Sequence, residues 1–478
     1  MPGMRKLLRM KRRILPLLLV LVLVGVTLVI VRLALFKRAL PAAHAGSVAV
    51  DAINTLGIDL LRQTAPPGSN ALLSPYSIQL ALGMTCAGAD GQTREEMIRA
   101  LHYPKDEDQL KHSFAALLTN VNGIMSRESA RAQQSFQSYS NSLTAMDRRI
   151  PPMAKGEMSR WLSQIQFQLT NRLLTLATVN RLYGQSGYEI RPAYLKSLED
   201  NWQSSFESVD FVHHASGLTA QINSWVQNQT HDHIKRLIPA DALDDSSRLV
   251  LVNAIYLKAP WMHSFSTMLT QPKPFLLSDG AVVQVPTMFQ FHAEDSFVGY
   301  ARRGGDLAFL PRGYTVVALP YYCPELQFVI LMPDKCDDLP ALEASLTPEL
   351  LADCANLPQR EADLSLPKFN LEPPTLSLVE PLRSLGMKSA FEKNANFSRT
   401  LLPTSEPGLH VSGIFQQTFL HLDEAGTEAS AGTALMDAVL GVDTNIPVHV
   451  HIDRPFLFMI QHRPTGACLF LGRITDPR

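Results

Sequence analysis

Leu422 to Pro447 reads LDEAGTEASAGTALMDAVLGVDTNIP, and this stretch decides how the rest of the chain is understood. Its first half, Gly426-Thr427-Glu428-Ala429-Ser430-Ala431-Gly432-Thr433-Ala434, has no large apolar side chain and cannot hold a core position by burial. Before it, Leu420 and Leu422 alternate with polar residues as a strand would. After it, Val448-His449-Val450-His451-Ile452 alternates too. A small-residue segment therefore joins two predicted strands, with turn chemistry only at Asp443-Thr444-Asn445. Such a segment is either an exposed linker or one kept small so that it can enter a crowded place.

Working outward, 478 residues with 46% apolar and 18% charged side chains describe a globular chain with one large domain or two to three ordinary ones. A net charge of -1 gives no reason to expect a nucleic-acid partner. The five cysteines, Cys86, Cys323, Cys336, Cys354 and Cys468, are odd in number and form no CxxC, which argues against zinc, dithiol redox and a disulfide framework. There is no GxSxG, no GxxxxGK[ST] and no HExxH, so no enzyme is expected. His231-Asp232-His233 and His449-Val450-His451 have no evident third ligand, and neither a metal nor another cofactor is expected.

The N-terminus is distinct. Met1 to Arg13 carries six basic residues and no acid, and Ile14 to Val31 is apolar except for Pro16, Gly25 and Thr27. Eighteen such residues in a helix reach about 27 Å, just enough for a hydrocarbon core. The basic excess before the run keeps the N-terminus cytoplasmic and exports the remainder. Ala43-His44-Ala45 offers a cleavage site for a signal peptide, but it lies far from the apolar run, and the balance favours an uncleaved anchor. The expected division is thus 1–45 as basic segment plus anchor, and 46–478 as an exported domain.

Glu424-Ala425-Gly426-Thr427-Glu428-Ala429-Ser430-Ala431-Gly432-Thr433 is followed by Asp453-Arg454-Pro455-Phe456 and Leu469-Phe470-Leu471-Gly472-Arg473. In that order at the C-terminus, these runs closely resemble the serpin family of protease inhibitors. The resemblance extends through Ser74-Pro75-Tyr76-Ser77-Ile78, Leu249–Trp261 and Ala395-Asn396-Phe397-Ser398. It implies an α+β fold of three β-sheets surrounded by about nine helices, with an exposed reactive-centre loop at 425–447, and a monomer. The hinge of that loop falls on Glu424, Gly426, Thr427, Ala429, Ser430, Ala431, Gly432 and Thr433. Ser74, Ser77, Asn253 and Gln416 fall in the family's shutter, beneath the gap where the loop inserts, and Trp261 lies where it first enters. The family often has a histidine where Gln416 stands. An amide both donates and accepts, so it substitutes for a neutral imidazole but removes any pH response there.

The resemblance implies a suicide substrate for a serine protease. Thr427, Ala429, Ala431 and Thr433 share one parity and would face inward on insertion; each is small. Asp437 at the same parity is a poor core residue. Family spacing places the scissile bond at Leu440-Gly441, within Met436 to Val442. No Lys or Arg occurs between Thr400 and Asp453, so chymotrypsin-, elastase- or subtilisin-like targets are expected. Inhibition of papain-like cysteine proteases and a non-inhibitory binding or chaperone role stay open. Residues 122–172 depart from the family pattern and read as an insertion, with dispersed basic residues across 127–172 that suit weak polyanion binding at most.

Overall fold

The computed structural model describes residues 47–66, 68–146, 163, 166, 173–291, 297–303, 313–427 and 447–478. It falls into two compact units, Met1–Ala42 with Ser129–Asn171, and Ala43–Glu128 with Arg172–Arg478. Of the first, residues 129–146, the C-terminal part of one helix, and residues 163 and 166 are described. The apolar run Ile14–Val31 lies outside the described residues, among which no helix is long and apolar enough to cross a membrane.

Seven helices matter below: α1 (Val48–Thr64), α2 (Pro75–Gly88), α3 (Gly91–Ala100), α4 (Glu107–Asn122), α5 (Ile124–Met146), α6 (Pro192–Trp202) and α7 (Phe211–Gln229). In chain order the strands are β1 (Ala71–Leu73), β2 (Thr175–Gln185), β3 (Ser205–Val209), β4 (Leu249–Pro260), β5 (Gln271–Leu276) and β6 (Val282–Gln290). Then come β7 (Phe297–Arg303), β8 (Tyr314–Pro320), β9 (Leu326–Pro333), β10 (Gln359–Pro367), β11 (Phe369–Leu371) and β12 (Leu376–Ser377). The last six are β13 (Val411–Thr418), β14 (Leu420–Leu422), β15 (Gly426–Thr427), β16 (Val448–His451), β17 (Phe456–His462) and β18 (Ala467–Ile474).

These strands form one ten-stranded and one eight-stranded hydrogen-bonded assembly. Two of the sheets expected from the sequence are continuous because β10 is shared. Its first residues, Gln359–Glu361, pair with β7, and its later ones pair with β6 and, in parallel, with β16.

The eight-stranded assembly carries the site. Its main sheet runs β3-β2-β4-β13-β12, with β4 and β13 parallel neighbours. β4 is buried on both faces, and its period-2 side chains divide between two cores. Leu249, Leu251, Ile255, Leu257 and Ala259 join the large core. Val250, Val252 and Ala254 join a second one with Phe415 of β13, Phe211, Leu218, Ile222 and Val226 of α7, and Ile234, Leu237, Ile238 and Leu243 of the chain that follows. The Asn223 amide ties α7 to that chain, donating to Ile238 O and accepting from Ile238 N at 2.9 and 2.8 Å.

Helix α2 runs through the large core. Ser74 caps it by accepting from Ser77 N at 3.2 Å, and Pro75 needs no donor at the first helical position. Helix α3 begins at Gly91 after Asp90, so Thr93 and Glu96, which have capping-box spacing, do not cap it. Thr93 Oγ1 accepts from Asn396 N, and Glu96 accepts from Lys388 N, Ser389 N and Ser389 Oγ. The long-range partners outcompete the local cap, and these bonds hold the Glu96 carboxyl down at about 2 against the opposing effect of burial. Cys86, Cys336, Cys354 and Cys468 carry free thiols, and all but Cys336 are buried.

Candidate functional site

The candidate site is the seam between β4 and β13, together with its upper mouth. From Val411↔Leu249 to Thr418↔Ile255 the two strands pair directly. Beyond that they part: β4 continues to Pro260, while the chain leaves β13 for β14, which pairs with β11.

Midway along the seam a closed set of polar side chains is buried beneath the sheet. Ser74, Ser77 and Asn253 are fully buried and Gln416 is 1% exposed. Gln416 faces Asn253 across the β4–β13 pairing. Its Oε1 accepts from Ser74 N at 3.1 Å, while its Nε2 donates to Ser74 O at 3.2 Å and to Asn253 Oδ1. Asn253 Nδ2 donates to Ser77 Oγ and to Asn180 Oδ1. Ser74 Oγ donates onward to Leu469 O at 2.6 Å. The network therefore ties β2, β4, β13, α2 and β18 together using only neutral groups. Satisfied buried networks of this kind fix a unique arrangement because every lost bond leaves an uncompensated polar atom.

The mouth is built differently. Gly426 and Thr427 form the two-residue β15, antiparallel to the top of β4 with Gly426↔Pro260 and Thr427↔Ala259. A β-carbon at Gly426 would sit 2.2 Å from Ala259 O and 2.6 Å from Pro260 Cα, so only glycine allows this approach. Thr427 is fully buried, its hydroxyl 2.6 Å from Tyr321 Oη. Burial raises the Tyr321 phenol and the Thr427 bond partly offsets it, so the hydroxyl stays protonated. The Tyr321 ring stacks on Trp261 at 4.8 Å and 2°. Trp261 in turn donates its Nε1 to Asp423 O and its backbone N to Ala425 O, each at 2.9 Å. Glu424 is 8% exposed. Its carboxylate meets Lys368 Nζ at 2.7 Å and accepts from Thr270 Oγ1 at 2.7 Å. Burial works to raise this carboxyl, but Lys368 and Thr270 outweigh it and hold the group below its ordinary value.

Ser74, Ser77, Asn253 and Gln416 thus meet at the seam, while Trp261, Glu424, Gly426 and Thr427 meet at the mouth. Ala429, Ser430, Ala431, Gly432, Thr433, Leu440 and Gly441 lie outside the described residues. The amide at Gln416 does close the network. The sequence reading missed Asn180, Lys368, Thr270 and Tyr321. Asn180 and Lys368 stand in the stretches Leu176–Tyr183 and Leu366–Phe369, where a polar or basic residue among strand-forming neighbours was the available signal. Thr270 had none. Of the two paired-histidine runs, His231 and His233 lie in a turn and His449 and His451 lie on β16.

A family model described as serpin, serine protease inhibitor, matches residues 51–477. Serpin B10 of Bos taurus is 29% identical over 434 residues, covering 89% of this chain and 98% of that protein. Among solved structures, native protease nexin-1 with heparin aligns at a TM-score of 0.69 and 25% identity over 90% of this chain and all of the other. Human thyroxine-binding globulin complexed with its hormone aligns at 0.67 and 25%, covering 90% and 98%.

Proposed function

The chain belongs to the serpin family, and from that premise we propose that it inhibits serine-type proteases as a suicide substrate. The protease serine attacks the loop carbonyl, the peptide bond breaks, and the downstream amine leaves. The upstream segment remains esterified to the enzyme and enters the β4–β13 seam as a new strand, carrying the protease with it. The observation that carries this reading is the stub at the mouth. Gly426–Thr427 is already paired with β4 and Thr427 is buried, while the seam below is closed by direct β4–β13 pairing. The hinge residues Ala429, Ser430, Ala431, Gly432 and Thr433 are small enough to follow.

The reactive bond is assigned to Leu440-Gly441, within Met436 to Val442. The absence of Lys and Arg from Thr400 to Asp453 favours proteases with an apolar pocket, of chymotrypsin, elastase or subtilisin type. The run Ile14–Val31 is assigned as an export segment, either an anchor that holds the domain on the extracytoplasmic side or a signal whose removal at Ala43-His44-Ala45 leaves it secreted. A second reading, a non-inhibitory binding protein, draws on the likeness to thyroxine-binding globulin and on Asp437 at an inward parity. The dispersed basic residues of 127–172 are assigned at most a weak polyanion contact.

A denaturing gel of the protein incubated with chymotrypsin, elastase and subtilisin in turn tests the proposal. A detergent-resistant band at the summed mass supports trapping. Loop cleavage without that band, and with no gain in thermal stability, would replace it by the second reading.

A further inference from the structure

The sequence carries two acceptor patterns for N-linked glycosylation, Asn228-Gln229-Thr230 and Asn396-Phe397-Ser398, and the fold treats them differently. Asn228 stands in the last turn of α7. Leu218, Ile222 and Val226 recur every four residues on the buried face of that helix. A position two residues beyond Val226 is turned about 200° around the axis, away from the second core. Asn228 is exposed there, and its side-chain amide has no hydrogen-bond partner among the described residues. The residue that completes the pattern is its opposite. Thr230 is fully buried, its hydroxyl donating to Val226 O at 2.8 Å and accepting from Ile234 N at 3.1 Å. Asn396 is exposed too, but it is committed to the fold. Its N donates to Thr93 Oγ1 and its O accepts from Asp90 N, both at 2.9 Å, while its Oδ1 accepts from Ser398 N at 3.1 Å. Its Nδ2 faces the start of α3, 3.3 Å from where a β-carbon on Gly91 would stand. A sugar on that nitrogen would grow against the end of α3; one on Asn228 would grow into solvent.

We propose that Asn228, and not Asn396, is an N-glycosylation site whose donor is an oligosaccharide linked to a lipid diphosphate. Asn228 Nδ2 bonds to C1 of the first sugar, and the bond from that carbon to the diphosphate oxygen breaks. The lipid diphosphate leaves with the electron pair, and the amide proton passes to a base of the transferase. A transferase that reads the hydroxyl of the third residue reaches Thr230 only before α7 packs, because the folded domain buries it. The transfer therefore precedes folding of this region, and the fold then holds the glycan in solvent. Donor and transferase belong to the lumen of the secretory pathway, so the site rests on the export reading of Ile14–Val31 given above.

Translation of the full-length chain with microsomes from a glycosylating cell tests the site, and protection of the domain from added protease reads export separately. The expected result is a protected chain with a single mobility step that peptide N-glycosidase removes. That step should be lost in Asn228→Gln and unchanged in Ser398→Ala. The step is read on a denaturing gel, so it does not depend on how well a variant folds. A protected chain with no step, a step that survives Asn228→Gln, or a second step removed by Ser398→Ala overturns the proposal and leaves the export reading standing. A chain whose domain the protease digests overturns both.

Discussion

The middle of the β4–β13 seam and its mouth close the same gap by different physical means. The middle uses neutral amides and hydroxyls, fully buried, with Asn253 bonded at once to Ser77, Asn180 and Gln416. The mouth uses a charge pair at Glu424–Lys368, an aromatic stack at Trp261–Tyr321 and a two-residue strand. The middle therefore resists separation until several bonds fail together. The mouth is made of separable contacts that respond to salt and acid. A sheet that opens from one end, as proposed above, needs this asymmetry.

Substituting the hub should have the largest effect. Asn253→Ala leaves Ser77, Asn180 and Gln416 short of partners away from water, at about 1–3 kcal/mol for each group. A loss of about 3 kcal/mol or more is expected, read as the midpoint of thermal unfolding. A midpoint near wild type would mean that the middle is not the lock. Gly426→Ala comes next, because its β-carbon meets backbone that cannot yield without displacing β15 from β4. About 2 kcal/mol of overpacking is expected, seen as lost exchange protection at Thr427 and altered Trp261 fluorescence, with the middle of the seam unchanged.

Lys368→Met should cost about 1 kcal/mol, a cost that high salt diminishes, since the lysine is partly exposed. The sign with pH follows from the lowered Glu424 carboxyl. Its contribution is complete above the ordinary value of 4.5 and is lost as pH falls through the lowered one. In Lys368→Met the folded-state carboxyl rises, so that acid-induced loss should shrink; an unchanged acid titration of stability would separate Glu424 from the mouth. The smallest effect at neutral pH belongs to Gln416→His, under about 1 kcal/mol. Buried without a charged partner among the network groups, the new imidazole should be destabilised on protonation, so the middle acquires an acid sensitivity below about pH 6.5. A response equal to wild type from pH 5 to 8 would show that position 416 does not control the network.

Much of this was legible in the sequence, for local reasons. Ser74-Pro75 announces the start of α2, and the β-branched run Leu249–Pro260 announces a strand covered on both faces. Small residues directly after Glu424 announce a close approach of backbones, which Gly426 and Thr427 make against β4. What could not be read depends on partners far along the chain. Thr93 and Glu96 have the spacing of a cap, yet the segment at 388–396 claims both side chains. Lys368 gains its meaning only beside Glu424, and Asn180 only opposite Asn253. His233 looked like half of a histidine pair; its ring stacks on Tyr256 and Phe419, which no spacing reveals.

The burial of three thiols has a chemical consequence. Cys86, Cys354 and Cys468 are free and buried, and burial pushes all three thiols up, Cys86 to about 11 and Cys354 to about 12, so none of the three offers an oxidant the thiolate it needs.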